Sequence, residues 1–499
     1  MMSKPSRRPT REERKARRQE QNKLREEQRT QAPEPHRHTS IPNTKSPFTT
    51  VEEETRARQD TVTHQARLIR DQLPTLLERL SKIPDPRDPK KVRHQLTVLL
   101  IYGILTFVFH MASRREANRT MTRPVFMENL RLLFPDLESV PHHDTLYRLL
   151  EHINVSEIES AHLDLFRRLI RKKKFKHHLI DKHYPIAIDG TQKFARSKAW
   201  CDEPLERSVG RDEEDAKQFY VYVVEASLAL DNGMVLPLMS EFLSVAEDEQ
   251  DCETKAFKRL AQRLKREFPR LRILLLLDGL YANGPVMEIS RKYHWQFMIV
   301  LKDKSLPSVW AEAHGLRPLQ VANRLRRFWG NRQQDFWWVN DIEYTYGPNE
   351  RRRLVLHVVV CEENWQEVAT GGERQRHQSR HAWISSHPLN RSNLHQRCNL
   401  GARHRWGIEA NILVEKHHGY RYEHSFAYEW SAMKGYHYLM RLGHFLNVLV
   451  RYSKSLQECV RTLGVRGLIQ FVRETLASPW LVPEQVRARL AQRVQLRLI

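Results

Sequence analysis

A chain of 499 residues, 40% of them hydrophobic, has room for roughly two to four domains and at least one sizeable core. Lysine and arginine outnumber aspartate and glutamate 83 to 60, and the resulting net charge of +23 favours a polyanionic partner: DNA, RNA or an anionic membrane surface. The scattered cysteines (Cys201, Cys252, Cys361, Cys398, Cys459) show no close pair and no metal-ligand spacing, which argues against a disulfide scaffold or a zinc module and suits a reducing cytosol.

Residues 1–60 are rich in Arg, Lys, Glu, Gln and Pro, show no apolar segment of the kind a signal peptide needs, and are expected to form a basic disordered arm. The early run Arg7, Arg8, Arg11, Arg14, Lys15, Arg17 and Arg18 suits phosphate binding, and equally a solubilising tail. From 61 to 180 the pattern is helical, as expected of a helical DNA-binding domain. Leu68, Ile69, Leu73, Leu76, Leu77 and Leu80 recur at helix spacing, and Pro84-Asp85-Pro86 stops that helix. Leu96 to Ala112, about 17 residues, sits at the lower limit for a membrane span. Thr97, Tyr102, Gly103, Thr106 and His110 interrupt it, so a buried core helix is the better reading. Asp144 is a plausible N-cap for the helix that follows Pro141-His142-His143, and a basic cluster, Arg171 to Lys176, ends this region.

The period then changes. Ile186-Ala187-Ile188-Asp189 is a short strand delivering a carboxylate, and Phe219–Leu230 and Met234–Leu243 form a hairpin about Asp231-Asn232-Gly233. An amphipathic helix, Glu253 to Phe268, leads into Ile273–Leu277, an apolar run suited to a strand covered on both faces. That strand ends in Asp278. A carboxylate there is costly unless it is paired, hydrogen-bonded or metal-bound, and it equally suits capping of the turn that follows. A helix to Tyr293 and a strand at 296–301 complete the order strand, hairpin, helix, strand, helix, strand. This is the order of an RNase H-like α/β fold, whose topology can set the Asp189 and Asp278 strands side by side.

Residues 181–301 are thus expected to be the first part of an RNase H-like domain and 302–381 a β-rich insertion ending in a polar loop, 369–381. Residues 382–450 form the second part, with a strand at 382–386 and a helix over Leu394–Lys416, and 451–499 a C-terminal helical segment. Spacings of four and seven set Arg405, Glu409 and Lys416 on one helix face, a pattern that also fits a surface ion-pair ladder. Asp189, Asp278 and Glu409 suit the hard-cation chemistry of phosphodiesters, in which two Mg²⁺ ions about 3.5–4 Å apart serve the attacking and leaving oxygens.

These motifs together resemble a bacterial insertion-sequence transposase of the DDE type, in the group with a Tyr-x2-Arg-x3-Glu-x6-Lys signature. Ile188-Asp189-Gly190-Thr191 is similar to the first motif, Leu277-Asp278-Gly279-Leu280-Tyr281 to the second, and Arg405, Glu409 and Lys416 to the last. The stretches Pro84–His94 and Pro141–Thr145 resemble the helical domain that precedes the catalytic domain in related proteins. The resemblance implies Asp189, Asp278 and Glu409 as metal-binding catalytic residues, holding two Mg²⁺ with Mn²⁺ as an alternative. It implies cleavage and strand transfer at the ends of the element. Double-stranded DNA, at element ends and target, is the implied partner, engaged by a homodimer in the bacterial cytoplasm at the nucleoid, without a membrane. Arg405 and Lys416 are the implied DNA contacts. The signature Tyr falls at Ala402, so His404 is a candidate substitute. Trp329, Trp337 and Trp338 are candidates for stacking on a flipped base or for core packing. His142-His143, His177-His178 and His417-His418 read as phosphate or surface residues without zinc spacing. The rival readings are an RNase H-like nuclease that does not join strands, and a non-catalytic DNA-binding protein derived from a transposase.

Overall fold

The computed structural model describes residues 10, 12–20, 46, 48–137, 139–209, 216–245, 251–368, 374–492 and 495–499. Contacts divide the chain into a larger unit, residues 39–271 and 404–499, and a smaller unit, residues 1–38 and 272–403. Most of the expected disordered arm lies outside the described residues; within it, residues 12–20 are helical. Its expected end at 60 is corrected, because the first long helix, α1 (Val51–Leu80), starts ten residues earlier. Thr50 caps it through the Glu53 N–H at 3.2 Å, and Glu52, Glu53 and Glu54 face the positive end of the helix dipole. Tertiary contacts then bury a charge-rich stretch that composition alone assigns to solvent. The Arg58 guanidinium lies 4.3 Å over the Phe471 ring and donates to Thr475 Oγ1 at 3.0 Å.

The larger unit continues with α2 (Leu96–Val108), α3 (Arg114–Met121), α4 (Pro124–Leu133), α5 (His143–His152) and α6 (Ser156–Arg171). With 13 residues α2 is a core helix, and no described helix is long and apolar enough to cross a membrane. The cap of α5 is His142, whose Nδ1 accepts the Asp144 N–H at 3.3 Å, rather than Asp144 itself. Strands β1 (Tyr184–Arg196), β2 (Leu205–Val209), β3 (Ala216–Ala229) and β4 (Val235–Phe242) pair antiparallel, with β3 bonded to the other three. The β3–β4 turn is the expected hairpin: Gly233 has φ +82° and Asn232 Oδ1 accepts the Met234 N–H. Helix α7 (Glu253–Glu267) packs on β3 and β4 through Ala256, Phe257, Leu260, Ala261 and Leu264.

In the smaller unit β5 (Ile273–Leu277) runs parallel to β6 (Gln296–Val300) across α8 (Gly284–Lys292). Helix α9 (Pro307–Leu316) precedes β7 (Arg324–Trp329), β8 (Arg332–Tyr346), β9 (Arg352–Val368) and β10 (Arg374–Ser385), and the sheet runs β5-β6-β10-β9-β8-β7. The polar loop expected at 369–381 is corrected in part. Residues 374–381 belong to β10, paired with β9, while 369–373 lie outside the described residues. That ladder extends into solvent, so its side chains alternate without an apolar face and leave no period to read. The single helix expected over Leu394–Lys416 is also corrected. A π-helical segment (His395–Gly401) and a 3-10 turn (Ala402–Arg405) precede α10 (Trp406–His417). The wider turns accommodate buried Arg397 and Asn399, which bond Gln296 Oε1 at 2.7 Å and Gln334 Oε1 at 2.8 Å.

The larger unit closes with α10, α11 (Trp430–Arg451), α12 (Gln457–Leu476) and α13 (Pro483–Ala491). Buried ion pairs fix α10 and α11 on the sheet. Arg441 of α11 donates to both carboxylate oxygens of Glu415 on α10 at 3.0 Å and meets Glu225 of β3 at 3.1 Å. His444 shares Glu415 at 2.6 Å, and Ser240 and Tyr422 donate to Glu225 at 2.6 and 2.9 Å. Burial opposes the charged form of both acids, yet Arg441 holds each carboxyl below the usual carboxylate range. Removing one partner of such a network strands a buried charge. Arg441→Ala is expected to cost about 3–5 kcal/mol in denaturant unfolding. Neutralising both acids as well (Glu225→Gln, Glu415→Gln) should recover part of that loss, and a loss below about 1 kcal/mol for Arg441→Ala alone would contradict this account.

Candidate active site

In the larger unit the site grows from β1 and the start of α10. Asp189 lies opposite Glu225 in the β1–β3 ladder, so the two side chains share a sheet face. Helix α10 packs on that face. A Cβ at Gly407 would come within 2.8 Å of Val235 Cγ2, so glycine permits the close approach. Arg405, at the N-cap of α10, bridges to Glu409 at 2.7 Å. The guanidinium is 3% exposed, and its Nε and Nη1 have no hydrogen-bond partner among the described residues. Two buried cationic donors are thus left without an acceptor among the described residues.

Asp189 is half-buried, and burial raises its carboxyl pKa to about 6 against the attraction of Arg405. The negative charges of Glu409 and Glu253 push in the same direction as burial. Glu253, the first residue of α7, had no assigned role in the sequence reading. Its Oε2 accepts the Tyr222 hydroxyl at 2.9 Å, and an added Cβ at Gly190 would fall 2.6 Å from its carboxyl. A glycine directly after Asp189 and an acid opening the next helix were the available signals, readable only once β1 and α7 are known to meet. With Asp189 itself, Glu409 and Glu253 make three carboxylates whose fields overlap at a half-buried position, a set of hard oxygen donors.

The remaining expected residues divide. In the smaller unit Asp278 caps the turn after β5, accepting the Leu280 N–H, and its other oxygen lies 3.4 Å from Lys302 Nζ. The capping role is thus realised. Lys416 pairs with Glu423 at 3.1 Å rather than with Glu409, so the helix-face ladder stops at Arg405–Glu409. Ala402 is buried, so the signature position points no side chain at a ligand. His404 is half-buried and its charge acts on Asp231, which also binds His178 at 2.6 Å. For Trp337 and Trp338 the burial fits the core-packing alternative. They are 5% and 3% exposed because β8 is covered there, with His314 of α9 and Arg317 against Trp337, and both indoles are core. Trp406, 61% exposed beside Arg405, is an exposed aromatic to which the sequence reading gave no role.

Among the described residues, His142, His143 and Asp144 are the one trio with ligand atoms within 4.8 Å of one another. They are consecutive residues at a helix start, drawn together by the cap geometry. Asp189, Glu253 and Glu409 stand wider, as expected of like charges with Glu409 drawn to Arg405.

Residues 77–166 match the family described as DDE_Tnp_1-associated, spanning α2 to α5 and most of α6. The match points to a DDE-family transposase. No curated protein matches the chain.

The Asp189 pKa has a stability consequence of definite sign. A carboxyl raised from 3.8 to about 6 contributes stability that is full below about pH 4 and lost as pH rises through about 6. The expected loss is about 3 kcal/mol, at 1.36 kcal/mol per unit. Asp189→Asn should remove this step, leaving the variant more stable than wild type at pH 8 without divalent ions. Denaturation curves from pH 4 to pH 8 test this, and equal pH profiles for the two proteins would refute it.

Proposed function

We propose that the protein is a transposase with an RNase H-like catalytic domain that binds the ends of its own insertion sequence. It cuts them and joins them to target DNA in a metal-dependent reaction. The observation that carries this reading is the gathering of Asp189, Glu409 and the partnerless nitrogens of Arg405 on one face of a sheet. The family match over 77–166 and the net charge of +23 support it.

In this reading Asp189 and Glu409 hold Mg²⁺, or Mn²⁺, together with Asp278, which the sequence order proposes as the third carboxylate. When bound, the ions lower the pKa of the attacking oxygen and stabilise the leaving one. The protein's own groups do the rest. Arg405 donates from Nε and Nη1 to the oxygens of the reacting phosphate. Glu253, steadied by the Tyr222 hydroxyl, adds negative charge that favours a cation next to Asp189. Lys416, at the far end of α10, exchanges Glu423 for a phosphate of the same strand. Cleavage transfers the phosphoryl group to water and releases a 3′-hydroxyl; that hydroxyl then attacks a target phosphodiester and releases a target 3′-hydroxyl. Two copies of the chain, each holding one end, would work within the bacterial cytoplasm.

The test is incubation of the full chain with end-bearing duplex, target DNA and Mg²⁺. Nicked ends and joined products are expected. Asp189→Asn, Asp278→Asn and Glu409→Gln should each lower both steps by more than about 100-fold, exceeding the loss typical of a residue that only supports a ligand. End binding should persist. An Asp278→Asn variant that joins strands at the wild-type rate would remove Asp278 from the site, and cutting without joining would make the protein a nuclease.

A further inference from the structure

The larger unit carries a cleft of about 750 Å³ bordered by α3, α12 and the turn that follows α10. Arg119, Arg123, Arg421, Arg466 and Arg473 line it. Its two acids are already engaged: Glu116 by Arg473 at 2.6 Å, and Glu474 by Gln470 at 2.8 Å and Arg58 at 3.6 Å. Arg466 donates to the His417 carbonyl at 3.1 Å, which orients it across the end of α10. The side chains of Arg119, Arg123 and Arg421 make no hydrogen bond or ion pair among the described residues, and all are exposed. Three uncompensated guanidinium groups around one concavity repel one another unless an anion lies between them.

A second feature at the cleft asks for the same ligand. His110 lines it with a buried Nε2 that has no hydrogen-bond partner among the described residues. The ring is held at 4.3 Å from that of Tyr420, and the backbone adopts φ +52° to keep it there. Burial, with the positive charges of His444, Arg473, His418 and Arg466 adding to it, lowers its pKa to about 3. The neutral ring retains one N–H, which at Nε2 would donate to an oxygen acceptor. A buried donor without an acceptor is a deficit that a bound oxyanion removes.

We infer that this cleft holds the phosphodiester backbone of DNA next to the reacting phosphate, through Arg119, Arg123, Arg421 and His110. The inference rests on the transposase reading for its ligand. The position agrees with it. Glu409 and His417 are eight residues apart on α10, about 12 Å at 1.5 Å per residue. That is about three to four nucleotide steps at 3.4 Å per strand. A strand with one phosphate at Arg405 and Glu409 therefore reaches the cleft within a few nucleotides. Arginine forks also match phosphate oxygens better than lysine does.

The experiment compares wild type with Arg119→Gln/Arg123→Gln/Arg421→Gln by fluorescence anisotropy on a labelled duplex over a range of NaCl. These side chains are exposed and partnerless, so thermal unfolding of the variant should match wild type. Each lost phosphate contact lowers the slope of log affinity against log salt by about 0.9, so the triple variant should bind with a slope shallower by about 2–3. A photo-crosslinking residue placed at Gln470, on the cleft wall, should capture the duplex in the wild-type background and lose it in the triple variant. An unchanged slope with no crosslink, while wild type binds DNA and cuts it, overturns the cleft assignment and leaves the transposase reading intact. Failure of wild type to bind the duplex overturns both.

Discussion

Arg441, clamped between Glu225 and Glu415, is the interaction on which the larger unit's site depends. One guanidinium ties a strand, the helix carrying Glu409 and the long C-terminal helix α11. Glu225 faces Asp189 across the β1–β3 ladder, and Glu415 lies on the same helix as Glu409. The buried network therefore fixes how α10 lies on the strand. Ion pairs of this kind add little net stability over an apolar core, because desolvation offsets most of their attraction. Their value here is positional: an apolar contact slides, whereas a guanidinium holding a different carboxylate at each terminal nitrogen does not.

The fixed helix imposes a cost next to it. Asp189 is held half-buried within the field of Glu253 and Glu409, with Arg405 the opposing charge, and its carboxyl titrates well above the normal range. A folded protein gains nothing from gathering acids in this way. The arrangement makes sense if the missing positive charge arrives with the reaction, and Arg405's unused donors make the complementary case for a phosphate. The two deficits are of opposite sign and occur on one sheet face. In the proposed reading a metal–phosphodiester pair would remove both, which a basic DNA-binding surface alone would not.

Charge elsewhere follows the same logic at longer range. Most arginines of the larger unit that face an acid are paired with it, as Arg58, Arg263 and Arg473 show. Arg119, Arg123 and Arg421, without such a pair among the described residues, line the cleft where α3, α12 and the end of α10 meet. The proposed DNA path thus runs along α10, from the carboxylates at its start to the arginines beyond its end. Trp406, exposed on the outer side of the same helix, adds an aromatic face to that path.

Residue pattern alone settled the elements whose periodicity was strong: the apolar β5, the Asn-Gly hairpin, the amphipathic α7 and the core helix α2. It also made Asp189, Asp278, Arg405 and Glu409 candidates, because a carboxylate after an apolar run and an i,i+4 spacing are local features, although β1 runs on past Asp189 to Arg196. Tertiary structure decided what depends on neighbours. The Trp337-Trp338 pair leaves stacking and core packing open until His314 of α9 is seen against Trp337, and Lys416 reads as a partner of Glu409 until Glu423 arrives from beyond the helix. Residues 51–60 look like a solvated arm until Arg58 meets Phe471, more than 400 positions away. Glu253 and the arginine cleft were invisible for the same physical reason. Local sequence sets backbone preference within a few residues, whereas burial and electrostatic field at a side chain are set by segments the chain brings together only on folding.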